Sequence, residues 1–462
     1  MFTTLSLRLR VFLFFCLVAA ASAALAAGAL SFGWSRGEPG LPAGPFVTAF
    51  VMFAFLNTGF ALGIWVLFDE NMAKPITRLS ADLRLRAHAG VAGEVDTDAA
   101  RYLGDLAPAA SALSESMSSA ATGTAAEIAR ETERLTADRD LLTALLTEIP
   151  VATILLNPAR EIVLYDGQAA EVLSQVAPPR LKAPLGDYLE ISGEGPAADG
   201  AVDLRAVSGK ARFTGRLRAL GDDGHVLLID VEEAPGRPID PRPLVFDFDL
   251  MTASETADIK DTPLQDLCYV PFDTETTGLS VETDHIVQIG AVRVLNGRVI
   301  EGESMDLYVN PGCPIPPAAT RIHSVTDADV AGAPDISEAG QRLHHFARDA
   351  VLVAHNAPFD IGLLRRCAPQ MGVTWEHPVL DTVLLSAVAF GITEDHSLDA
   401  LCDRLEVALP DVVRHTAYGD ALATGQALVK LLPLLQARGL RTFGDVMAET
   451  RQQSRLLQDL NP

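Results

Sequence analysis

The chain has 462 residues, is 48% hydrophobic and 21% charged, and carries a formal net charge of −24. That length is too great for one compact domain, so several are expected. The acidity excludes a broad basic face that would grip duplex nucleic acid along its phosphates, and five cysteines (Cys16, Cys268, Cys313, Cys367, Cys402), odd in number and without a C-x-x-C pair, argue against a disulfide framework or a zinc site and for reduced thiols.

The N-terminal end reads as a membrane anchor over residues 1–70. Val11 to Leu30 is apolar, uncharged and long enough to span a bilayer, and Arg8 and Arg10 precede it. A Gly/Pro-rich loop (Gly37 to Pro42) separates it from a second apolar run, Phe46 to Phe68, which is followed by Lys74, Arg78, Arg84 and Arg86. Basic flanks on the outer side of both runs place both termini inside. Small-residue patterns (Ala21-Ser22-Ala23, Ala24-Leu25-Ala26) also occur at leader cleavage sites, but the apolar stretch is long for a leader.

Residues 71–118 read as a helical linker. Pro75 suits a helix start, Leu79, Leu83 and Leu85 recur loosely at helical spacing, and a second helix is expected near Tyr102 to Leu106. This segment resembles a HAMP linker. Over 119–149, Ile128, Leu135, Leu142 and Ile149 recur every seven residues, one seam of a coiled coil that would pair two copies in parallel. Thr124, Glu131 and Asp138 do not fit the complementary seam. Strand signals follow over 150–233: Val151 to Leu156, Glu161 to Tyr165 after an Asn157-Pro158 turn, a short helix from Ala170 to Val176, then a hairpin of Arg212 to Leu220 and His225 to Val231. That order of elements resembles an α+β PAS domain. Residues 234–264 hold four prolines (Pro235, Pro238, Pro241, Pro243) and an acidic stretch, and read as a linker.

The chemistry is concentrated in residues 265–435, ahead of a helical tail at 436–462. Leu267 to Phe272 reads as a buried strand running into Asp273-Thr274-Glu275-Thr276-Thr277-Gly278. Residues two apart on a strand share a face, so Asp273 and Glu275 project together, and they repel unless a cation sits between them. Ile286 to Leu295 and Val299 to Val309 read as strands joined by an Asn296-Gly297 hairpin turn. Val351 to Ala354 is a further buried strand that leads into Asp360 at the head of an amphipathic helix. Asp420 is expected on the helix Ala421 to Leu432 opens, while His415, five residues earlier, stands on the loop before it.

These motifs, in this order, resemble the DEDD superfamily of 3′→5′ exonucleases, most closely its DnaQ-like branch, typified by the epsilon proofreading subunit of bacterial DNA polymerase III. The carriers are D-x-E-T-T-G at 273–278 with Gln288-Ile289-Gly290-Ala291 after it, His355-Asn356 followed by Phe359-Asp360, and His415 five residues before Asp420, which marks the histidine (DEDDh) subclass. Ile322 to Thr326 and Asp381-Thr382 match as well, with Ser324 where glycine is more usual. The resemblance implies an α/β RNase H-like fold, a mixed sheet flanked by helices. It implies two divalent cations, Mg2+ or Mn2+, held by Asp273, Glu275, Asp360 and Asp420, and His415 as the base that ionises water. It implies Thr276, Leu279, His323, Asn356 and Phe359 as contacts for the terminal nucleotides. The partner would be a nucleic acid 3′ end, single-stranded DNA first, and the products nucleoside 5′-monophosphates.

The expectation is therefore a multi-pass protein of the bacterial inner membrane with its catalytic domain in the cytoplasm. RNA as the substrate is the alternative within this chemistry, and a sensor whose nuclease domain only holds nucleic acid is the alternative outside it; no ligand position has been lost, which weighs against the latter. A histidine kinase is excluded because no glycine-rich ATP-binding segment follows the front end. A polymerase partner is less attractive, because tethering would confine it.

Overall fold

The computed structural model describes residues 7–37, 42–89, 103–104, 151–192, 200–221, 224–230, 244–252, 258–408 and 415–461. The chain divides into two compact units, 1–121 and 122–462. The heptad segment at 119–149 and most of the HAMP-like segment lie outside the described residues.

The first unit is a helical hairpin. Helices α1 (Leu7–Ser35) and α2 (Gly44–Phe68) are both long and apolar enough to cross a membrane. They run antiparallel, as the pairs Arg8–Asp69, Phe12–Trp65 and Ser22–Asn57 show. The polar groups of the apolar stretch answer one another: Ser22 Oγ donates to Asn57 Oδ1 at 2.9 Å, and Asn57 Nδ2 donates to the Ala19 carbonyl at 2.9 Å. At the hairpin's basic end the Arg8 fork takes both oxygens of Asp69 at 2.6 Å each. Pro75 stands second in the next helix, the start expected there. The chain passes from α2 through a π-helical turn (Asp69–Ala73) directly into α3 (Lys74–Ala89). The Lys74 N–H reaches back to the Asp69 carbonyl, and this wider turn makes room for a proline that lacks an N–H and would otherwise crowd the preceding turn.

The second unit contains two sheets. The first has seven strands in the order β3-β4-β5-β6-β1-β2-β7, all antiparallel. Its elements in chain order are β1 (Val151–Leu156), β2 (Ile162–Tyr165), α4 (Gly167–Ser174), β3 (Leu189–Ser192), β4 (Gly200–Ala206), β5 (Arg212–Ala219), β6 (His225–Asp230) and β7 (Val245–Phe246). Alternating burial along β1 and β4 shows one face on a core and one towards solvent. The short helix starts at Gly167, earlier than expected, because Asp166 caps it by accepting the Ala169 N–H. Strand β7 falls in the segment read as linker: it extends the sheet beside β2, and Asp247 after it is fully buried.

The second sheet has five strands in the order β10-β9-β8-β11-β12. Strands β8 (Tyr269–Thr276), β9 (Ile286–Leu295) and β10 (Arg298–Tyr308) form the expected antiparallel meander. Asn296 and Gly297 take φ of 49° and 69° in the turn that joins β9 to β10. Helices α5 (Pro317–His323), α6 (Asp327–Val330) and α7 (Ile336–Phe346) lead to β11 (Val351–Ala354), which pairs parallel with β8. Then come α8 (Ala357–Met371), β12 (Val379–Asp381), α9 (Thr382–Phe390), α10 (Leu398–Leu405), α11 (Ala417–Ala437) and α12 (Phe443–Thr450). The result is the expected mixed sheet flanked by helices. The tail is part of this body, since the Asn461 side chain bonds both the N–H and the carbonyl of Val379 and so caps the sheet edge.

The two sheets share one apolar cluster, running from Ala152 and Tyr165 to Phe272, Leu352 and Leu364. A buried polar clamp joins them. Glu303, at a bulge in β10, receives the Tyr165 hydroxyl at 3.1 Å and the Leu181 N–H. Arg293 of β9 stands 2.8 Å from its other oxygen as an ion pair, and donates to the carbonyls of Phe346 and Leu181 at 3.0 and 3.2 Å. Both side chains are essentially inaccessible to solvent. Removing one partner of such a pair strands a charge in the interior. Glu303→Ala should therefore lower stability by about 3–5 kcal/mol in chemical denaturation, and a loss under about 1 kcal/mol would contradict the clamp.

Candidate active site

Strand β8 is buried on both faces as far as Phe272 and then opens on one side: Asp273 and Glu275 are half-buried, whereas Thr274 and Thr276 stay buried. This is the face-sharing expected of residues two apart. Asp273 pairs in register with Gly290 of β9, and Glu275 with Gln288. Helix α11 is laid across these positions. A Cβ at Gly290 would fall 2.1 Å from the Ala417 carbonyl group, and the Ala417 N–H points to Gln288 Oε1 at 3.4 Å. Thr416 caps the helix by accepting the Gly419 N–H at 3.0 Å, and Asp420 lies in its first turn. The close approach that only glycine permits thus brings Asp420 against the acidic pair. Ligand oxygens of Asp273, Glu275 and Asp420 lie within 4.8 Å of one another.

Asp360 is 3% exposed in the first turn of α8 and accepts the Thr274 hydroxyl at 2.6 Å. It stands outside the group of three but close enough for its charge to act on Asp273 and Glu275. Burial, then repulsion by Asp360, Asp420 and Glu275, holds the Asp273 carboxyl well above the ordinary range. Burial and then Asp420 and Asp360 push Glu275 up to about 7, and burial pushes Asp360 up to about 7. No basic side chain among the described residues pairs with Asp273 or Glu275. An all-oxygen set under mutual repulsion fits hard divalent cations such as Mg2+ or Mn2+.

His415 is exposed, with φ of 58°, on the turn two residues before α11, as expected for the loop ahead of Asp420; residues 409–414 before it are outside the described part. It does not belong to the close-packed acidic group. Among the expected nucleotide contacts, Leu279 is 89% exposed, on the loop after β8. That loop folds around Asp284, whose carboxylate accepts the Thr277 hydroxyl at 3.1 Å and the Ser280 N–H at 2.8 Å. Thr276 is buried and its hydroxyl donates to the Gly278 carbonyl. His323 is buried, with Nε2 at 3.2 Å from the Thr276 carbonyl and Nδ1 accepting the Val325 N–H at 3.1 Å. Both ring nitrogens are thereby engaged within the chain, so this side chain ties α5 to the end of β8. Ser324 beside it takes φ of 63°, the left-handed conformation that explains why glycine is the commoner residue there. Phe359 is half-buried against the apolar core.

Asn356 is exposed and left-handed at the start of α8, and its side chain does not cap the helix. Asp381 does so from β12, accepting the Ala357 N–H at 2.6 Å while also capping α9 through the Val383 N–H at 2.7 Å. The Asn356 amide is left facing outward. Asp381 and Gln288 stood in the motif segments read from the sequence, but their tasks, capping two helices and meeting the Ala417 N–H, depend on partners distant in the chain.

Residues 270–428 match the Exonuclease (RNase T) family. A DNA polymerase III subunit epsilon-like protein of Rhodobacter capsulatus is 30% identical, in an alignment that takes in 99% of this chain and 99% of that relative. This chain belongs to the epsilon-like exonuclease family. It is a metal-dependent exonuclease of the DnaQ-like kind. The epsilon-like chain is also 37% identical over 178 residues to the DNA polymerase III PolC-type of Caldanaerobacter subterraneus, a match that spans 38% of this chain and 12% of that protein. A solved structure of exonuclease X in complex with 5′ overhanging duplex DNA aligns with 40% of this chain and 99% of its own, at 27% identity and a TM-score of 0.32.

Two tests follow from this geometry. Gly290→Ala has no room for its methyl beside Ala417 and should cost about 1–3 kcal/mol and displace Asp420, so activity falls by more than stability accounts for; a wild-type rate would contradict the packing. In metal-stripped protein, Glu275 and Asp360 keep protons up to about pH 7, whereas their ordinary values are 4.5 and 3.8. Their contribution to stability is complete below those ordinary values and is lost as pH rises towards 7. The Tm in EDTA should therefore drop from pH 4 to pH 8 by more than in Glu275→Gln, and Mn2+ should restore it; a drop equal in both proteins, unmoved by Mn2+, would contradict this.

Proposed function

We propose that the epsilon-like chain is a membrane-tethered exonuclease that removes nucleotides from the 3′ end of single-stranded DNA, releasing nucleoside 5′-monophosphates with the help of two divalent cations. The observation that carries this reading is the convergence of Asp273, Glu275 and Asp420 within 4.8 Å, beside the buried Asp360. Asp273 would touch both ions, Glu275 and Asp420 would complete the first, and Asp360 would hold the second. Held by these four carboxylates, divalent ions would supply charge neutralisation at the phosphate and at the attacking and leaving oxygens of an in-line displacement.

The chain's own residues do the rest. His415, free on its turn, takes the proton of the attacking water at a ring nitrogen. Leu279, exposed on its loop, packs against the terminal base, and the outward Asn356 amide offers it hydrogen bonds. A polyanion approaching these carboxylates would be repelled unless bound cations offset their charge.

The apolar hairpin of α1 and α2 supports a membrane anchor in the bacterial inner membrane, and the basic flanks support a cytoplasmic active site. The antiparallel sheet of β1–β7, with α4 between its early and late strands, supports a PAS-like sensor. Its clamp onto β9 and β10 ties any such sensor to the strand that faces Asp273 and Glu275. The helical linker and the parallel pairing of two copies through it complete the proposed signalling front end.

The test is degradation of 5′-labelled single-stranded DNA by the purified full-length protein with Mg2+ or Mn2+. A ladder shortening from the 3′ end is expected, Asp273→Ala should show only background, and His415→Ala should be slower by about 10²–10⁴-fold. Equal rates in wild type and Asp273→Ala would discard the reading, and preferential decay of a matched RNA would move it to RNA.

A further inference from the structure

We infer that the Thr274 hydroxyl is a positioning group that aims Asp360 at the second cation. This rests on the two-ion reading of the site. Thr274 lies between two of the proposed ligands but on the other face of β8, in the row that Val270 and Phe272 fill with apolar side chains. Packing alone would be served there by an aliphatic residue. A buried hydroxyl costs free energy unless it is hydrogen-bonded, and at Thr274, which is 6% exposed, that bond goes to Asp360 Oδ1 at 2.6 Å.

The consequence falls on Asp360. It is the one member of the acidic set that stands outside the tight group of Asp273, Glu275 and Asp420. It sits on a different element, α8, whose start is fixed by Asp381 through the Ala357 N–H. The helix sets where the Asp360 backbone is, but the carboxylate still turns about its side-chain torsions. A carboxylate offers two oxygens. With Oδ1 committed to the Thr274 hydroxyl, and backbone N–H groups of Thr274 and Asp360 also acting on the carboxyl, its rotation is restrained and Oδ2 is the oxygen we assign to an ion. The strand that carries Asp273 thus also holds the ligand opposite it, and the two halves of the second cation site are linked by a hydrogen bond between residues 86 positions apart, beside which the Thr274 backbone N–H also acts on the Asp360 carboxyl. Partners of this kind, behind a ligand, typically set metal affinity by 10–100-fold.

The experiment measures Mn2+ binding to the full-length protein in detergent by calorimetry and by electron paramagnetic resonance. It uses Thr274→Val, Thr274→Ala, Thr274→Ser and Asp360→Asn. The wild type should bind two ions. Thr274→Val should bind the first as the wild type does and the second about 10–100-fold more weakly. Thr274→Ala, which removes the hydroxyl and leaves no methyl in its place, gives the same reading if the valine variant does not fold. Thr274→Ser should stay close to wild type. In activity, the Mn2+ concentration for half-maximal rate should rise in Thr274→Val, with kcat recovered at saturating Mn2+ and KM for the strand unchanged. Wild-type affinity for both ions in the valine and alanine variants would overturn the inference, as would a kcat that excess Mn2+ does not recover. Asp360→Asn separates the two levels: if it loses the second ion while Thr274→Val does not, only the role of Thr274 fails, and if it binds both ions normally, the assignment of Asp360 fails with it.

Discussion

Repulsion among carboxylates is the constraint on which the rest of this molecule turns. Asp273, Glu275 and Asp420 are held closer than free acids would settle, and Asp360 is buried beside them. Burial raises the cost of each charge, and each charge raises the cost of the next. Among the described residues, no basic side chain pairs with Asp273 or Glu275. The fold therefore stores a deficit that a divalent ion relieves, and the energy that the apolar core supplies is partly spent on keeping the acids together.

Strand β9 transmits that cost to the scaffold. At one end Gly290 lets α11 approach within a distance no side chain permits, and Gln288 meets the first N–H of that helix. Further along, Arg293 enters the buried clamp with Glu303, Tyr165 and Leu181. One strand thus touches the acidic pair, the helix that carries Asp420, and the sheet of the N-terminal module. The shared apolar cluster makes that module part of the nuclease body and not a bead on a flexible string.

Much of the site was legible because its logic is local. Asp273 and Glu275 follow from strand alternation, the β9–β10 hairpin from Asn296-Gly297, and the separation of His415 from Asp420 from the pitch of a helix. What escaped the sequence depends on partners far away in the chain. Nothing near Thr274 announces Asp360, and nothing near Glu303 announces Tyr165, 138 residues earlier. Pro75 read as a helix start and stands second in α3, but the π-helical turn that joins this helix to α2 without a break has no sequence signal. The segment after the prolines read as a linker because a two-residue strand such as β7 has no periodicity to detect. His323, expected as a nucleotide contact, also makes two bonds within the chain at the end of β8 that nothing near it in the sequence announces.

The central claim is that these acids form a cation site, and anomalous diffraction from a crystal soaked in Mn2+ tests it most directly. Two peaks are predicted, one bonded to oxygens of Asp273, Glu275 and Asp420, the other between Asp273 and Asp360. Absence of any peak in this cleft at saturating Mn2+, or peaks only at surface carboxylates elsewhere, would contradict the account.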